Sequence, residues 1–396
     1  MRGQEEGNRR CSAECVRRAE LTARKPPVQG RRCRARDVGI AVGSMDPGRW
    51  NAITDVDGVL VGHCTLIADR GVLRPGQGPV RSGVTAVLPH GGNLFRDKVA
   101  ASVHVINGFG KCAGLAQMLE LGTLETPILL TNTLSVGMVA DACVSWCIER
   151  NPGIGITTST VNPVVGECND GYLNDIQGRH VHAEHVFDAL NMAATGRVQE
   201  GAVGAGTGMS ALGFKGGVGT ASRRLPEPLG SFTLGVLLVA NFGRRSDLLI
   251  MGVPVGQELA LATGGPASDD GSAMVLVATD APLAPHQLVR LARRGVHGLS
   301  RTGAISHHGS GDFVLAFSTT NRIAHEPAGL TRQVELVEDS GHVLDGLFQA
   351  VVEATEESVY NALLQAERMD GRDGHVSEGL PIEALLAILR RHGRLP

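Results

Sequence analysis

The stretch ASDDGSAMVLVAT (267–279) places Ser272 first in an apolar run, directly behind a glycine and an acidic turn. A serine hydroxyl is a weak nucleophile and needs a base and a group that stabilises an oxyanion. If the bond between Gly271 and Ser272 were cut, Ser272 would carry its hydroxyl and a free α-amine together. Such an amine has an ordinary pKa of about 7.7–8.0, close enough to neutrality to accept the hydroxyl proton. Gly271 offers no Cβ to obstruct attack on its own carbonyl. The chemistry these two residues can do is acyl transfer, first on the chain itself and then on a substrate. The dipeptide alone does not decide it, because Gly-Ser also occurs at 43–44, 230–231 and 309–310.

Other segments hold the groups that such a serine would need. In GSGDF, Ser310 and Asp312 stand two apart before another apolar run, so both side chains can point the same way and form a hydroxyl–carboxylate relay. By spacing alone the same two residues shape a turn. The segment 162–185 gathers Glu167, Asp170 and Asp175 among glycines and asparagines, a setting suited to a substrate ammonium. His180, His182 and His185 lie there too, but AEH opens a helix and no second ligand cluster accompanies it, so no metal is assigned. Asn241 closes the run LLVAN with an amide that can donate to an oxyanion, and Asn132 ends LLTN in the same way. Lys215 sits in GFKGGVG, where glycines let the backbone approach an anion, yet the stretch is neither a P-loop nor a dinucleotide fingerprint. No cofactor is called for.

These residues need a scaffold, and the chain is long enough to supply one. It has 396 residues, 42% hydrophobic and 19% charged, with a net charge of −3. Residues 1–44 hold 10 Arg and one Lys against five acids, so the remainder is net −9. An acidic body with only 3% aromatics argues against nucleic acid as partner. No apolar run is long enough for a membrane span. The basic start, 1–45, has no apolar core of a signal peptide and reads as a disordered tail or as sequence ahead of the true start at Met45. Eight cysteines without a CxxC pair suggest free thiols and a cytoplasmic setting.

Apolar runs at 58–67, 83–90, 127–133, 232–241, 248–255, 273–279 and 313–319 are strand candidates, and 232–255 reads as a hairpin. Helices are expected at 114–122, 139–150, 183–194, 285–300, 344–367 and 381–393. Interleaved strands and helices with hairpin-like pairs suit a layered α/β sandwich better than a doubly wound sheet. The stretch 256–271, with four glycines, a proline and two aspartates, reads as a surface loop that tolerates nicking.

Taken in order, NAITDVDGVLVGH, GVTAVLPHGGN, HVINGFGKCAGL, ELGTLETPILLTNTLSVG, GTGMSALGFKGGVGTASR, VLLVANFG, the DGS junction and RTGAISHHGSGDFVLAFST resemble the L-aminopeptidase D-esterase/amidase family. That family includes the β-peptidyl aminopeptidases and nylon-oligomer hydrolases. The resemblance runs from about residue 50 to about 386. It implies a four-layer αββα sandwich like that of N-terminal-nucleophile hydrolases with different connectivity. It also implies a single domain, 46–396, cut into an α chain ending at Gly271 and a β chain, 272–396, with the αβ pairs assembling further. Carried over, Ser272 is the nucleophile, Ser310 and Asp312 the supporting hydroxyl and acid, Asn241 the oxyanion-hole amide and Glu167 the acid that holds a free substrate amine. Lys215 lies near the family's site. Where some members have an aromatic, this chain has Asn169. Serine instead of threonine at 272 leans toward aminopeptidases acting on short peptides, amides or esters. The rivals are an acyltransferase of the ornithine acetyltransferase kind and an uncut, non-catalytic ligand-binding relative.

Overall fold

Valine- and leucine-rich runs separated by glycines favour strands that bury both faces, and the chain uses them to build two stacked sheets. The computed structural model describes residues 32–259 and 271–396. Its strands are β1 (Leu60–Ala68), β2 (Val80–Leu88), β3 (Asp97–Gly108), β4 (Thr123–Leu124), β5 (Ile128–Asn132), β6 (Val164–Cys168), β7 (Ser210–Ala211), β8 (Phe214–Lys215), β9 (Gly217–Arg224), β10 (Thr233–Asn241), β11 (Ser272–Thr279), β12 (Gly311–Ala324), β13 (Met369–Asp370) and β14 (Val376–Ser377). The helices are α1 (Leu115–Glu120), α2 (Val136–Arg150), α3 (Ala183–Asn191), α4 (Val255–Leu259), α5 (Pro285–Ser300), α6 (His342–Gln365) and α7 (Ile382–Arg391).

One sheet has the order β1-β2-β5-β6 and the other β4-β3-β12-β11-β10-β9. Val87, Ile128, Leu130 and Val164 of the first face Leu237, Met274, Leu276 and Leu315 of the second across a common core. The outer face of the four-stranded sheet buries Val84, Ala86 and Leu129 against Val139, Trp146 and Leu190 of α2 and α3. On the far side, Val275, Val277 and Val314 pack on Leu288 and Leu291 of α5 and Leu347 and Val351 of α6. The layers run α, β, β, α, the sandwich expected from the sequence. Gly166 is needed where β6 crosses β11, since a Cβ there would lie 2.3 Å from the Met274 Cε.

Several expectations are corrected. Residues 248–255 do not form a strand: Met251 and Gly252 take left-handed φ values of 53° and 76°, Pro254 has no N–H to donate, and only an isolated bridge joins Ile250 and Val253. β10 pairs with β9 and β11, so the 232–255 hairpin is not formed. β3, β6 and β9 were not expected. The first residues of the 256–271 stretch belong to α4, and 260–270 lie outside the described residues.

Residues 32–45 belong to the packed body, with Ala35 and Ile40 fully buried. The Arg34 guanidinium donates to the carbonyls of Trp50, Asn51 and Thr220 and pairs with Glu200 at 2.7 Å. The tail reading therefore covers at most residues 1–31, which lie outside the described residues. Nearby, the fully buried Arg223 of β9 bridges Glu353 at 3.0 Å and Glu357 at 2.8 Å, both on α6, while Arg36 reaches Glu357 at 3.0 Å. This cluster ties the start of the body, an edge strand and the longest described helix together. Removing the central cation takes from Glu353 its ion pair with Arg223 and leaves Glu357 with Arg36 in a dry environment, so Arg223→Met is expected to lower the unfolding free energy by about 3–5 kcal/mol. Denaturant titration checks this, and a loss under about 1 kcal/mol would show that the acids find other partners.

Candidate active site

β11 lies between an antiparallel and a parallel neighbour, and that arrangement assembles the site. Asn241, the last residue of β10, pairs with Ser272, and Ser272 pairs on its other side with Gly311 at the start of β12. Three strand ends therefore meet at one edge of the sheet. Ser272 shares the parity of Met274 and Leu276, so its side chain faces the space between the sheets. There it lines a cleft of about 450 Å³ with Glu167, Asn169, Tyr172, Asn241 and Gly271.

The Asn241 amide is oriented by its surroundings. Its Oδ1 accepts from the Ser210 N–H at 3.0 Å. That turns Nδ2 toward Ser272 Oγ at 3.2 Å and the Asn169 carbonyl at 2.9 Å. Asn169 thus contributes its backbone to the cleft while its own Oδ1 accepts from the Gly171 N–H at 2.9 Å. Cys168, at the end of β6, is buried beneath Ser272, and burial raises its thiol pKa well above the ordinary range.

Glu167 is 3% exposed. One carboxylate oxygen accepts from the backbone N–H of Lys111 at 2.9 Å, and the other from the Thr133 hydroxyl. Two donors from different loops fix this single acid on the cleft wall, where it can receive an ammonium.

Ser310 donates to Asp312 Oδ1 at 2.8 Å, so the hydroxyl–carboxylate pair exists. Its place is specific. Ser310 and Asp312 line a small cavity with Gly271, Ala273 and Ser306 on the helix side of β11, and neither lines the cleft itself. The pair thus faces the main chain at 271–273. Burial raises the Asp312 pKa, opposed by hydrogen bonds from Ser306, Ser310 and the Ala273 N–H. Across the same junction, the Gly271 carbonyl accepts from the Gly311 N–H at 3.1 Å. A Cβ on residue 271 would lie 2.9 Å from the Phe242 Cα, so only glycine fits there without displacing the chain just after β10.

Two expected site residues stand elsewhere. Lys215 is fully buried and does not line the cleft; its Nζ donates to the carbonyls of Gly206, Met209 and Gly216 at 3.1, 2.6 and 3.0 Å. It fastens the loop that carries Ser210 and so acts on Asn241 from behind. Asn132 is buried too: it donates to Ser82 Oγ at 2.8 Å and accepts from the Ser135 N–H at 3.1 Å, capping the turn into α2. Its neighbour Thr133 is the residue that reaches the cleft. Asp170 is buried under the same loop, and burial pushes its pKa up to about 7. The histidines do not converge, since His180 bonds Asp175 at 2.9 Å while the His182 N–H donates to His185 Nδ1 at 3.0 Å. Among the described residues no group of three or more His, Cys, Asp or Glu could hold a metal ion, and no helix is long and apolar enough to cross a membrane.

Sequence reasoning missed Thr133, Ser210 and the loop Phe109–Lys111. Thr133 and Ser210 stand at strand ends beside residues that were considered, but nothing in their own spacing marks them. The loop lies inside HVINGFGKCAGL, where only its glycines hint at a close approach.

The pattern of peptidase family S58 matches residues 51–377. The chain is 44% identical over 377 residues to beta-peptidyl aminopeptidase BapA of Sphingosinicella microcystinivorans, covering 91% of this chain and 93% of that protein. A solved structure of a protein from Pyrococcus horikoshii OT3 superposes with a TM-score of 0.88 at 52% identity, covering 92% of this chain and all (100%) of that one. The L-aminopeptidase D-Ala-esterase/amidase of Ochrobactrum anthropi, described as a new variant among the Ntn hydrolase fold, superposes with a TM-score of 0.85 at 43% identity, covering 92% and 99% of the two chains.

Burial lowers the Lys215 pKa to about 7. The unfolded chain therefore holds a proton that the folded chain has lost between pH 7 and about 10.5, so wild-type stability rises with pH across that window. Relative to Lys215→Met, wild-type stability should climb by up to about 1.4 kcal/mol per pH unit above pH 7. Denaturation midpoints at pH 7 and 9 measure it. A flat difference would mean that the three carbonyls hold the ammonium charged throughout.

Proposed function

The chain belongs to peptidase family S58, and on that premise we propose that it is a self-cleaving aminopeptidase that removes N-terminal residues from short peptides, amides or esters through an acyl-Ser272 intermediate. The observation that carries the reading is the Asn241 Nδ2 donor 3.2 Å from Ser272 Oγ, at a cleft whose wall bears the doubly anchored Glu167.

In the precursor the Ser272 nitrogen is an amide and cannot act as a base. Ser272 Oγ loses its proton and attacks the Gly271 carbonyl carbon, with the Gly311 N–H beside the carbonyl oxygen to carry the developing charge. The carbon–nitrogen bond breaks, the Ser272 nitrogen takes up a proton, and an ester joins the two parts. Water then adds to the ester and breaks its bond to Oγ, leaving a Gly271 carboxylate and a free α-amine on Ser272. The Ser310–Asp312 pair faces this segment of main chain, which suits it to deliver the proton to the departing nitrogen and afterwards to hold the amine.

In the mature enzyme the α-amine takes the Oγ proton, as its ordinary pKa allows. Oγ attacks the carbonyl of the substrate's first residue, Asn241 donates to the oxyanion, and the leaving amine departs with a proton. Water completes the cycle by breaking the ester. Glu167 binds the free substrate ammonium and so restricts attack to the residue at the amino terminus.

Intact masses of the denatured protein test the first half. Two polypeptides meeting at Gly271 and Ser272 are expected from wild type, and one uncut chain from Ser272→Ala. A Ser272→Ala protein that still divides would sink the mechanism. For the second half, Glu167→Gln should raise KM for an amino-acid amide by about 10–100-fold, the worth of one charged hydrogen bond, and N-acetylation of the substrate should abolish turnover by wild type. Equal turnover of acetylated and free-amine substrates would exclude an aminopeptidase.

A further inference from the structure

One side chain outside the site controls the loop that presents the Ser310–Asp312 pair. Asn107, near the end of β3, pairs with Asp312 of β12 next to an irregularity in the ladder. Its Nδ2 faces three backbone carbonyls, those of His307 at 3.0 Å, His308 at 2.9 Å and Ser310 at 2.5 Å. An amide has two N–H protons, so three acceptors at these distances share them. The arch from His307 to Ser310 is closed from within by the Ser310 N–H on the His307 carbonyl at 2.9 Å. Asn107 closes it from outside, and Ser306, with a left-handed φ of 53°, starts the arch in a conformation that needs such support.

The chain that follows Asn107 continues into the site. Gly110 lies against Gly311 so closely that a Cβ on Gly311 would be 2.6 Å from the Gly110 Cα. The next residue, Lys111, gives its N–H to Glu167. Five residues thus grip both the hydroxyl–carboxylate pair and the ammonium-binding acid, yet Asn107 does not line the cleft.

We infer that Asn107 is a positioning residue for the reaction, holding the Ser310 hydroxyl on Asp312 and the pair against the Ser272 main chain by gathering the carbonyls of the 307–310 arch. It acts through Ser310 and touches no reacting atom. Its isostere aspartate would set a carboxylate against three carbonyl oxygens, so the position needs a donor as well as a shape.

The inference rests on the reading of Ser272 as nucleophile, and a double-mutant cycle separates the two. Steady-state kcat and KM for an amino-acid amide are measured for wild type, Asn107→Ala, Ser310→Ala and the double variant, well below each melting temperature. Asn107→Ala should lose about 10–100-fold in kcat, the cost of a small misplacement of catalytic groups, with KM within about three-fold. In the Ser310→Ala background the same change should cost less than about two-fold, because coupled residues are not additive. Asn107→Gln, which keeps the donors, should recover part of kcat, and it replaces Asn107→Ala in the cycle if the alanine protein does not fold. Losses that multiply across the cycle, or an Asn107→Ala enzyme with wild-type kcat, would overturn the positioning role while leaving an active wild-type aminopeptidase in place.

Discussion

The register of β11 is the constraint on which the rest of the site depends. Ala273, Val275 and Val277 pack into the core beneath the helices, while Met274, Leu276 and Ala278 fill the core between the sheets. Because both faces are buried, a slip of one residue would exchange two different sets of packing partners. The same slip would turn Ser272 away from the cleft. Apolar packing along eight residues thus decides where one hydroxyl points. Asn241 and Gly311 follow from it, since both are fixed by ladder hydrogen bonds to the same strand.

Two sets of buried polar groups do different work. Arg223, Glu353, Glu357 and Arg36 form a closed ionic cluster in which the acids and the central cation are satisfied. It lies among α6, β9 and the start of the described chain and does not reach the cleft. Lys215, Asn132 and Asp170 are the second set, buried directly behind the loops that carry Ser210, Thr133 and Asn169. Lys215 gathers three carbonyls behind Ser210, Asn132 caps the turn that carries Thr133, and Asp170 accepts from the Asn174 amide. Such backing keeps a site within the small tolerance that catalysis requires. Lys215 resembles a catalytic lysine in burial and lowered pKa, yet it does not line the cleft and its Nζ is held by three carbonyls.

How much of this was legible in the sequence follows the strength of local signals. Strands with continuous apolar character, such as 232–241 and 273–279, were readable, and so were the long amphipathic helices. β3 was not, because DKVAASVHVING mixes charged, small and polar residues along a strand that is buried only through its middle. β9 was not, because GVGTASRR reads as a glycine-rich loop, and its buried Arg223 makes sense only beside two acids more than a hundred residues away. LLIMGVPV misled in the other direction, since hydrophobicity without usable backbone geometry makes no strand. At the site, Ser272, Asn241, Glu167, Ser310 and Asp312 could be noted by type as groups capable of chemistry, but it was the family resemblance that gave each a role. Thr133, Ser210 and Asn107 act by holding others, and a holding role has no signature until the fold brings its partners near.

A cut between Gly271 and Ser272 is also compatible with the stability of the fold. β11 is held on one side by β10 and on the other by β12 along its whole length. The new amino terminus would begin at a residue already paired with both neighbours, so strand pairing does not depend on the bond that is lost. On the departing side of that bond, the Gly271 carbonyl accepts from the Gly311 N–H. Cleavage at this first residue of the strand would therefore set free an amine whose position is still dictated by two ladders and whose surroundings, Ser310 and Asp312, are already in place. A serine at the centre of the strand could not be released in this way without breaking the ladders themselves. Were the bond cut, the place of Ser272 at the start of β11 would let one residue be both a fixed part of a core and a reactive chain end.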